Sequence, residues 1–146
     1  MKGTHNKKQR RGFTMIELMA VLIIMGLLFA VVANNFMGQT DKARKITTRA
    51  NLKLLHDAVK SFKMDTGRYP TEEEGLSVLI DQPMDVQNYQ EGGYLDRTEL
   101  PVDGWGNEFE YERYPENGKP FLIRSYGADN LEGGEGFDED LLSTDA

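Results

Sequence analysis

The sequence has no cysteine among its 146 residues, which excludes disulfide bonds, thiolate-bound zinc and a thiol nucleophile. Histidine, which many other active sites use, is also scarce, since the chain has only His5 and His56. None of its four serines lies in a Gly-x-Ser-x-Gly elbow, and no His-Glu-x-x-His, phosphate-binding loop or dinucleotide fingerprint is present. These absences predict a chain that is not an enzyme.

Basic residues are scarce outside the first twelve positions. Residues 1–12 hold five bases and no acid, whereas the rest of the chain holds 12 bases and 24 acids, a net charge of −12. An acidic chain repels phosphate groups and releases no counterions from them, so we expect no nucleic acid among its partners. The length suits one small domain.

One long apolar run follows the basic segment. A helix over residues 13–33 is roughly 30 Å long, which matches the thickness of a bilayer core, and the basic flank places its N-terminus in the cytoplasm. An ordinary signal anchor is one interpretation of this run. A secretory signal peptide fits less well, because its apolar core is about 7–15 residues and precedes a small-x-small cleavage site. Here the run is longer and Asn34-Asn35-Phe36-Met37 follows it.

Glu17 is the one charged residue inside this run. A carboxylate in an apolar helix costs roughly 2.5–3.5 kcal/mol on insertion scales, so we expect it to have a partner. The run offers no Lys or Arg, but a cut between Gly12 and Phe13 would create a free α-ammonium group. That group and Glu17 could pair within one chain or between neighbouring chains.

The segment Arg11-Gly-Phe-Thr-Met-Ile-Glu-Leu18 and the apolar run after it resemble the class III leader of type IV pilins and type II secretion pseudopilins. The resemblance implies that residues 1–12 are a leader, which a prepilin peptidase removes between Gly12 and Phe13. It further implies N-methylation of Phe13 and a role for Glu17 in assembly. Residues 13–35 would then be the transmembrane and filament-core helix.

An amphipathic pattern continues the helix over residues 36–64. Apolar residues recur at three- and four-residue steps and predict one buried face. The helix is expected to end near Asp65-Thr66-Gly67, and residues 65–146 to form a periplasmic globular domain. The family usually has a proline at the position of Asn34, so a kink there is left open. The predicted face consists of Ala43, Ile46, Ala50, Leu54, Leu55, Ala58, Val59 and Phe62.

The globular segment predicts an α+β domain. Residues 71–99 indicate a short helix with a capping box, Thr71 and Glu74, followed by a loop. Residues 108–124 alternate like two strands joined by a turn at Asn117-Gly118, which predicts a small antiparallel sheet packed on the long helix. Trp105 is expected to anchor a tight turn.

Three further blocks resemble those of major pseudopilins, the general secretion pathway protein G family. They are Leu100-Pro-Val-Asp-Gly-Trp-Gly-Asn-Glu-Phe-Glu-Tyr111, Arg68-Tyr-Pro-Thr-Glu-Glu-Glu-Gly-Leu76 and the glycine-rich segment 125–136. The resemblance implies the pilin-like fold and a structural subunit that polymerises into a periplasmic filament, the pseudopilus, which pushes folded proteins through the outer-membrane secretin. The partners implied are other copies of the chain, minor pseudopilins, an inner-membrane assembly platform, the prepilin peptidase and, before assembly, membrane lipid.

The C-terminal segment is strongly acidic. Residues 129–145 hold seven acids and no base, which is typical of a solvated tail, but the interleaved glycines favour a tight loop that aims oxygen atoms at Ca²⁺. The spacing is not that of an EF-hand. The family resemblance implies one Ca²⁺, with Asn130 in place of a usual glycine and the choice among the later acids left open. The implied ligands are Asp129, Asp138, Asp140 and the backbone carbonyls near Tyr126 and Phe137.

Two other functions stay open at this point. One is a type IV pilin subunit for adhesion or DNA uptake, which the net charge disfavours for direct contact with DNA. The other is a membrane-anchored calcium-binding module that does not polymerise, for which Glu17 would have no explanation.

Overall fold

The structure, a computed structural model, describes residues 12–116 and 118–145, with the backbone alone for residues 33–37. The predicted leader up to Arg11 and residue Asn117 of the predicted turn lie outside the described residues. The chain divides into two compact units, one ending at Gly38 and the other beginning at Gln39. Its elements are helix α1 (Met15–Thr66), a 3₁₀ helix (Gly75–Leu79) and strands β1 (Glu110–Arg113), β2 (Phe121–Ser125) and β3 (Leu141–Leu142).

Helix α1 is the predicted long helix, shifted by two residues at each end. It includes Asn34, where a proline would have removed a backbone donor. The helix ends at Gly67, which has a φ of +82° and whose N–H donates to the Lys63 carbonyl at 3.0 Å. A glycine takes this left-handed conformation without steric cost, and it therefore terminates the helix.

The predicted single apolar face of residues 36–64 is wrong, because the structure divides those residues between two faces. Ala43, Ile46, Ala50 and Leu54 are exposed. The buried face carries Thr48 and Leu52 together with the second half of the predicted set. Apolar residues lie on both sides of this helix, so their spacing alone could not show which side meets the head. The buried members of the predicted set are Leu55, Ala58, Val59 and Phe62.

The three strands form one antiparallel sheet in the order β1-β2-β3. Tyr111 pairs with Ile123 in its register, and both side chains join one apolar cluster with Leu55 and Phe62 of α1. The α+β pilin-like architecture, with a long N-terminal helix and a small antiparallel sheet, is therefore confirmed. Strand β3 was not predicted, since two residues give too short a pattern to recognise.

The capping box predicted at Thr71 and Glu74 is present, but no α-helix follows it. The Thr71 N–H donates to Glu74 Oε2 at 2.8 Å, and the Glu74 N–H donates to Thr71 Oγ1 at 3.2 Å. Gly75 then takes a φ of +55°, which lies outside the α-helical region, so the turn at Thr71 does not continue as an α-helix and a 3₁₀ helix begins at Gly75 instead. Arg68 binds the same Glu74 through two bonds of 2.7 Å, and this ion pair lowers the pKa of Glu74 to about 2.

Candidate functional site

The start of helix α1 carries the residues predicted for processing and assembly. Gly12, Phe13 and Thr14 precede the helix and are exposed, with 83% of Phe13 accessible to solvent. A side-chain carbon added at Gly12 would meet nothing within 4 Å. Among the described residues, the bond between Gly12 and Phe13 therefore lies in exposed, non-helical backbone.

Glu17 has a partner that the sequence argument missed. The Thr14 N–H and hydroxyl both donate to Glu17 Oε2, at 2.8 and 3.0 Å, and the Glu17 N–H donates to Thr14 Oγ1 at 3.3 Å. This is a capping box, which satisfies donors at the start of a helix. The signal was present in the sequence, since Thr14 and Glu17 have the same spacing as Thr71 and Glu74. Among the described residues no hydrogen bond reaches Glu17 Oε1, so that atom is available to a further donor.

The residues that follow form an apolar helix exposed on all sides. The span Met15–Val32 is long and apolar enough to cross a membrane, at about 27 Å, and none of it is buried within the protein. Leu22, Leu28 and Phe29, which lie at different angles around the axis, are 61–77% exposed. A helix that is apolar around its whole circumference needs lipid or other apolar helices as its surroundings.

A buried aspartate organises the turn expected of Trp105. Asp103 is 4% exposed, and its Oδ1 accepts the N–H groups of Trp105 and Asn107 at 2.9 and 2.8 Å. Its Oδ2 accepts the Ser125 hydroxyl at 2.8 Å, and the Asn107 side-chain amide donates to the Gly127 carbonyl at 3.2 Å. Asp103 and Asn107 thus hold the beginning of the acidic C-terminal loop. Sequence reasoning had singled out the tryptophan and not these two residues.

This turn also contacts helix α1 directly. The Gly104 N–H donates to Thr48 Oγ1 at 2.9 Å, and a side-chain carbon at Gly104 would lie 2.2 Å from the Arg44 carbonyl oxygen. Real Cβ atoms do not approach a backbone so closely, so only glycine allows the turn to lie against the helix here. The residues Pro-x-Asp-Gly-Trp therefore join the helix to the acidic loop.

The acidic loop itself folds tightly on glycines. Gly127 has a φ of +67°, and a Cβ there would lie 2.8 Å from the carbonyl oxygens of Phe137 and Asp138. At Gly134 a Cβ would lie 2.5 Å from the Asp138 carbonyl oxygen. Asn130 takes a φ of +55°, a conformation that glycine favours and asparagine tolerates, so its replacement of the family's usual glycine keeps the turn. The loop therefore packs Gly127 and Gly134 directly against the Asp138 backbone, and the Phe137 carbonyl accepts the Ala128 N–H at 2.9 Å.

The predicted carboxylates lie in this loop but do not meet in one cluster. Asp129 Oδ1 accepts the Leu131 N–H at 3.1 Å, Asp140 Oδ1 accepts the Gly133 N–H at 3.1 Å, and Asp138 is exposed. Within residues 12–116 and 118–145, no three acidic or histidine side chains are arranged to hold a metal ion. Carbonyl and carboxylate oxygens are nevertheless the donors that Ca²⁺ prefers, and residues 129–145 supply both and contain no base of their own.

Glu139 is occupied by a different partner. Lys45 Nζ of α1 lies 2.8 Å from its Oε2 and also donates to the Gly136 carbonyl at 3.0 Å. This ammonium group lowers the pKa of Glu139. Of the three later acids, Glu139 is thus the one engaged with the helix, which leaves Asp138 and Asp140 as the better candidates for a metal.

Comparisons with known proteins agree with this geometry. Residues 7–33 match the prokaryotic N-terminal methylation motif, which places the chain in the class of proteins that carry this motif at the start of an apolar helix. Residues 35–144 match the family described as type II secretion system (T2SS), protein G. The chain belongs to the type II secretion system protein G family.

Individual relatives cover nearly the whole chain. It is 36% identical over 142 residues to the type II secretion system core protein G of Pseudomonas aeruginosa, covering 95% of this chain and 98% of that one. The Vibrio cholerae core protein G is 37% identical, with 92% and 93% covered. The crystal structure of the major pseudopilin from the type 2 secretion system of enterohaemorrhagic Escherichia coli is 30% identical. It matches with a TM-score of 0.59 over 74% of this chain and 92% of that chain.

Proposed function

We propose that this protein is the major structural subunit of a type II secretion pseudopilus, a periplasmic filament that pushes folded proteins through the outer-membrane secretin. The observation that carries the proposal is the exposed apolar helix that begins at Met15 and carries Glu17 in its first turn. Stacking such helices from many copies keeps their apolar surface away from water once they leave the lipid, and van der Waals packing between the helices replaces the contacts with lipid. The membership in the protein G family supports the same function.

Maturation precedes assembly. A prepilin peptidase cuts between Gly12 and Phe13, and the new N-terminus at Phe13 is methylated. Before assembly the helix crosses the bacterial inner membrane once, among lipids, with its N-terminus in the cytoplasm and its C-terminal domain in the periplasm. An inner-membrane assembly platform then takes up the subunit, and minor pseudopilins join the filament.

Glu17 pairs with the Phe13 amine of a neighbouring copy. The capping box engages only Oε2 of Glu17, so Oε1 can accept an N–H from another chain without loss of the Thr14 bonds. The pairing neutralises a carboxylate that would otherwise stay charged in an apolar filament core, where such a charge is costly.

The acidic loop holds one Ca²⁺, which replaces the disulfide that the chain cannot form. Asp129, Asp138 and Asp140 and the carbonyls of Tyr126 and Phe137 would bind the ion. The close approach of Gly127 to residues 137 and 138 supports this assignment. When bound, the ion would join the two ends of the loop and so stabilise a small head domain.

Two substitutions separate the charge of Glu17 from its capping role. Glu17→Gln keeps an acceptor for the Thr14 donors but removes the charge, whereas Thr14→Ala removes both hydroxyl bonds of the capping box, leaves the backbone N–H of residue 14 to donate to Glu17, and keeps the charge. With a co-expressed prepilin peptidase and assembly platform, intact mass should show methylated Phe13 at the N-terminus of both variants. Sheared filaments should be at least tenfold fewer for Glu17→Gln and close to wild type for Thr14→Ala. A wild-type chain that is cleaved but never assembles would overturn the proposed function.

Calcium is tested by thermal unfolding of the full chain in detergent. At a free Ca²⁺ concentration of 100 times Kd, binding adds about 2.7 kcal/mol and should raise Tm by on the order of 10 °C. Asp129→Ala should abolish the rise, whereas Asp145→Ala and Glu139→Ala should retain it. An equal rise in the Asp129→Ala protein would remove this residue from the site.

A further inference from the structure

Charge is unevenly divided within the second unit. Residues 42–63 of helix α1 contain seven bases and one acid, whereas residues 64–146 contain five bases and 21 acids. A positively charged helix segment is thus covalently joined to a strongly acidic head. Such a division favours contacts between copies in which the helix of one meets the head of another.

Four of the seven basic side chains of this helix segment lie along one exposed side. Lys42, Arg49, Lys53 and Lys60 follow one another at spacings of seven, four and seven residues, which places them on the same side of the helix. We call these four residues the basic stripe. All four are exposed, and within the described part of the chain none of them forms a salt bridge. Two carboxylates of the same unit lie near the stripe, since Asp57 lines a pocket with Lys53 and Lys60 and Arg49 helps to lower the pKa of Glu139, but neither forms a salt bridge with it in the described unit.

An acidic groove lies on the face of the sheet that points away from the apolar cluster. Alternate residues of β1, Glu110 and Glu112, point to this outer face, opposite to Tyr111. The groove has a volume of about 680 Å³, and Arg124 is the only base that lines it. Arg124 Nη2 lies 3.7 Å from Glu112 Oε2, and Arg124 Nη1 lies 3.5 Å from Glu132 Oε1. This single cation therefore cannot balance the charge of all the carboxylates in the groove. The glutamates of the acidic groove are Glu72, Glu110, Glu112, Glu116 and Glu132.

We propose that the basic stripe of one copy docks into the acidic groove of the next copy. The stripe lies on the helix, and the groove lies on the sheet face turned away from the cluster that the helix joins. A contact between two different patches of the same chain is heterologous, and it repeats into an open helical filament when it does not close into a ring. The inference rests on the proposed function and assigns the surfaces through which the heads of that filament meet.

Charge reversal tests the contact. Lys53→Glu with Lys60→Glu should reduce sheared filament at least tenfold, and so should Glu72→Lys with Glu116→Lys, which spares the internal bonds of Glu110 and Glu112. Combining the four changes in one chain should restore filament to within about twofold of wild type. Exposed Arg97→Glu with Glu91→Lys is the matched control and should leave the yield unchanged. Wild-type yield from both reversed pairs would overturn the proposed contact, as would failure of the combined chain to recover.

The absence of cysteine permits a direct second measurement. Lys60→Cys with Glu116→Cys in the full chain should give a ladder of covalent dimers, trimers and longer products when filaments are oxidised. Arg97→Cys with Glu116→Cys should give none. Filaments that assemble normally but yield no ladder from the first pair would contradict the contact.

The outcomes separate this inference from the proposed function. If the wild-type chain forms no filament, the proposed function fails. If wild-type filaments form and the reversed pairs assemble as well as wild type, only the contact fails. Normal filaments combined with lost secretion in the Lys53→Glu, Lys60→Glu chain would instead assign the basic stripe to an acidic exported protein, and would overturn the contact between copies.

Discussion

Removal of the Asp103 carboxylate should cost the head domain a large part of its stability. In Asp103→Ala the N–H groups of Trp105 and Asn107 and the Ser125 hydroxyl all lose their acceptor. Each buried group left without a partner costs about 1–3 kcal/mol. Since the two N–H groups are only partly buried, we expect a total loss of about 4 kcal/mol. That is a large fraction of the 5–15 kcal/mol typical of a domain.

Asp103→Asn provides the matched comparison. Its remaining oxygen can still accept both N–H groups, and its amide can donate to the Ser125 oxygen, so we expect a loss of about 1 kcal/mol. Urea unfolding of the full chain in detergent measures both values, with the fluorescence of Trp105, the sole tryptophan, as the reporter.

A free energy of unfolding for Asp103→Ala within about 1 kcal/mol of the wild-type value, at an unchanged m-value, would contradict this role of the carboxylate. An equal loss of stability in Asp103→Asn and Asp103→Ala would contradict it as well, because shape or charge would then matter more than the acceptor oxygen. A parallel experiment with Ca²⁺ and with chelator should show weaker calcium stabilisation in Asp103→Ala, since Ser125 and Asn107 hold the beginning of the loop.

Two further predictions concern helix packing and pH. Gly104→Ala should destabilise the head by about 3 kcal/mol, because the new methyl group would meet the Arg44 backbone. Gly38→Ala should not destabilise the protein, because a Cβ at that position would have open space around it. Equal stability of the two variants in urea would contradict the close approach of Gly104 to the Arg44 backbone. The pKa of Glu74 is depressed to about 2 in the folded chain. Its contribution to the free energy of unfolding is therefore fully present above the unfolded pKa near 4.5 and is lost as the pH falls toward 2. Partial exposure reduces this contribution to about 2 kcal/mol. Glu74→Gln should flatten stability against pH in that window, and an unchanged slope would show that the Arg68 pair contributes little.

The long helix was predictable because hydrophobicity and spacing act locally. The apolar run, the basic flank and the glycine at position 67 are each a sequence signal for a helix or its end. The direction in which residues 42–63 face was not predictable, since Ile46 and Leu54 are as apolar as Leu52 and Leu55. Only the position of the head decides which of these side chains is buried.

The functional residues also divide into those that have a local signal in the sequence and those that depend on distant partners. Glu17 stood out because a carboxylate in an apolar run conflicts with its surroundings, yet its partner Thr14 was missed although its spacing from Glu17 is that of a capping box. The role of Asp103 depends on the Ser125 hydroxyl, which donates to it from 22 residues away, and Asn107 donates to the Gly127 carbonyl 20 residues away. Partners so distant in the chain leave no local pattern, so the turn that supports the acidic loop became visible only in three dimensions.

The bond between Lys45 and the acidic loop couples the order of the loop to the charge that the helix presents to a neighbouring subunit. Lys45 shares the charged side of α1 with the basic stripe but directs its ammonium group to Glu139 and the carbonyl of Gly136. An ordered loop therefore withdraws one positive charge from the surface offered to a neighbour, and a loosened loop returns it. Because binding couplings are reciprocal, a ligand that orders the loop and a neighbour that docks on the helix must alter each other's affinity by the same factor. The affinity of the loop for its ligand would then differ between a subunit within the filament and a subunit without neighbours.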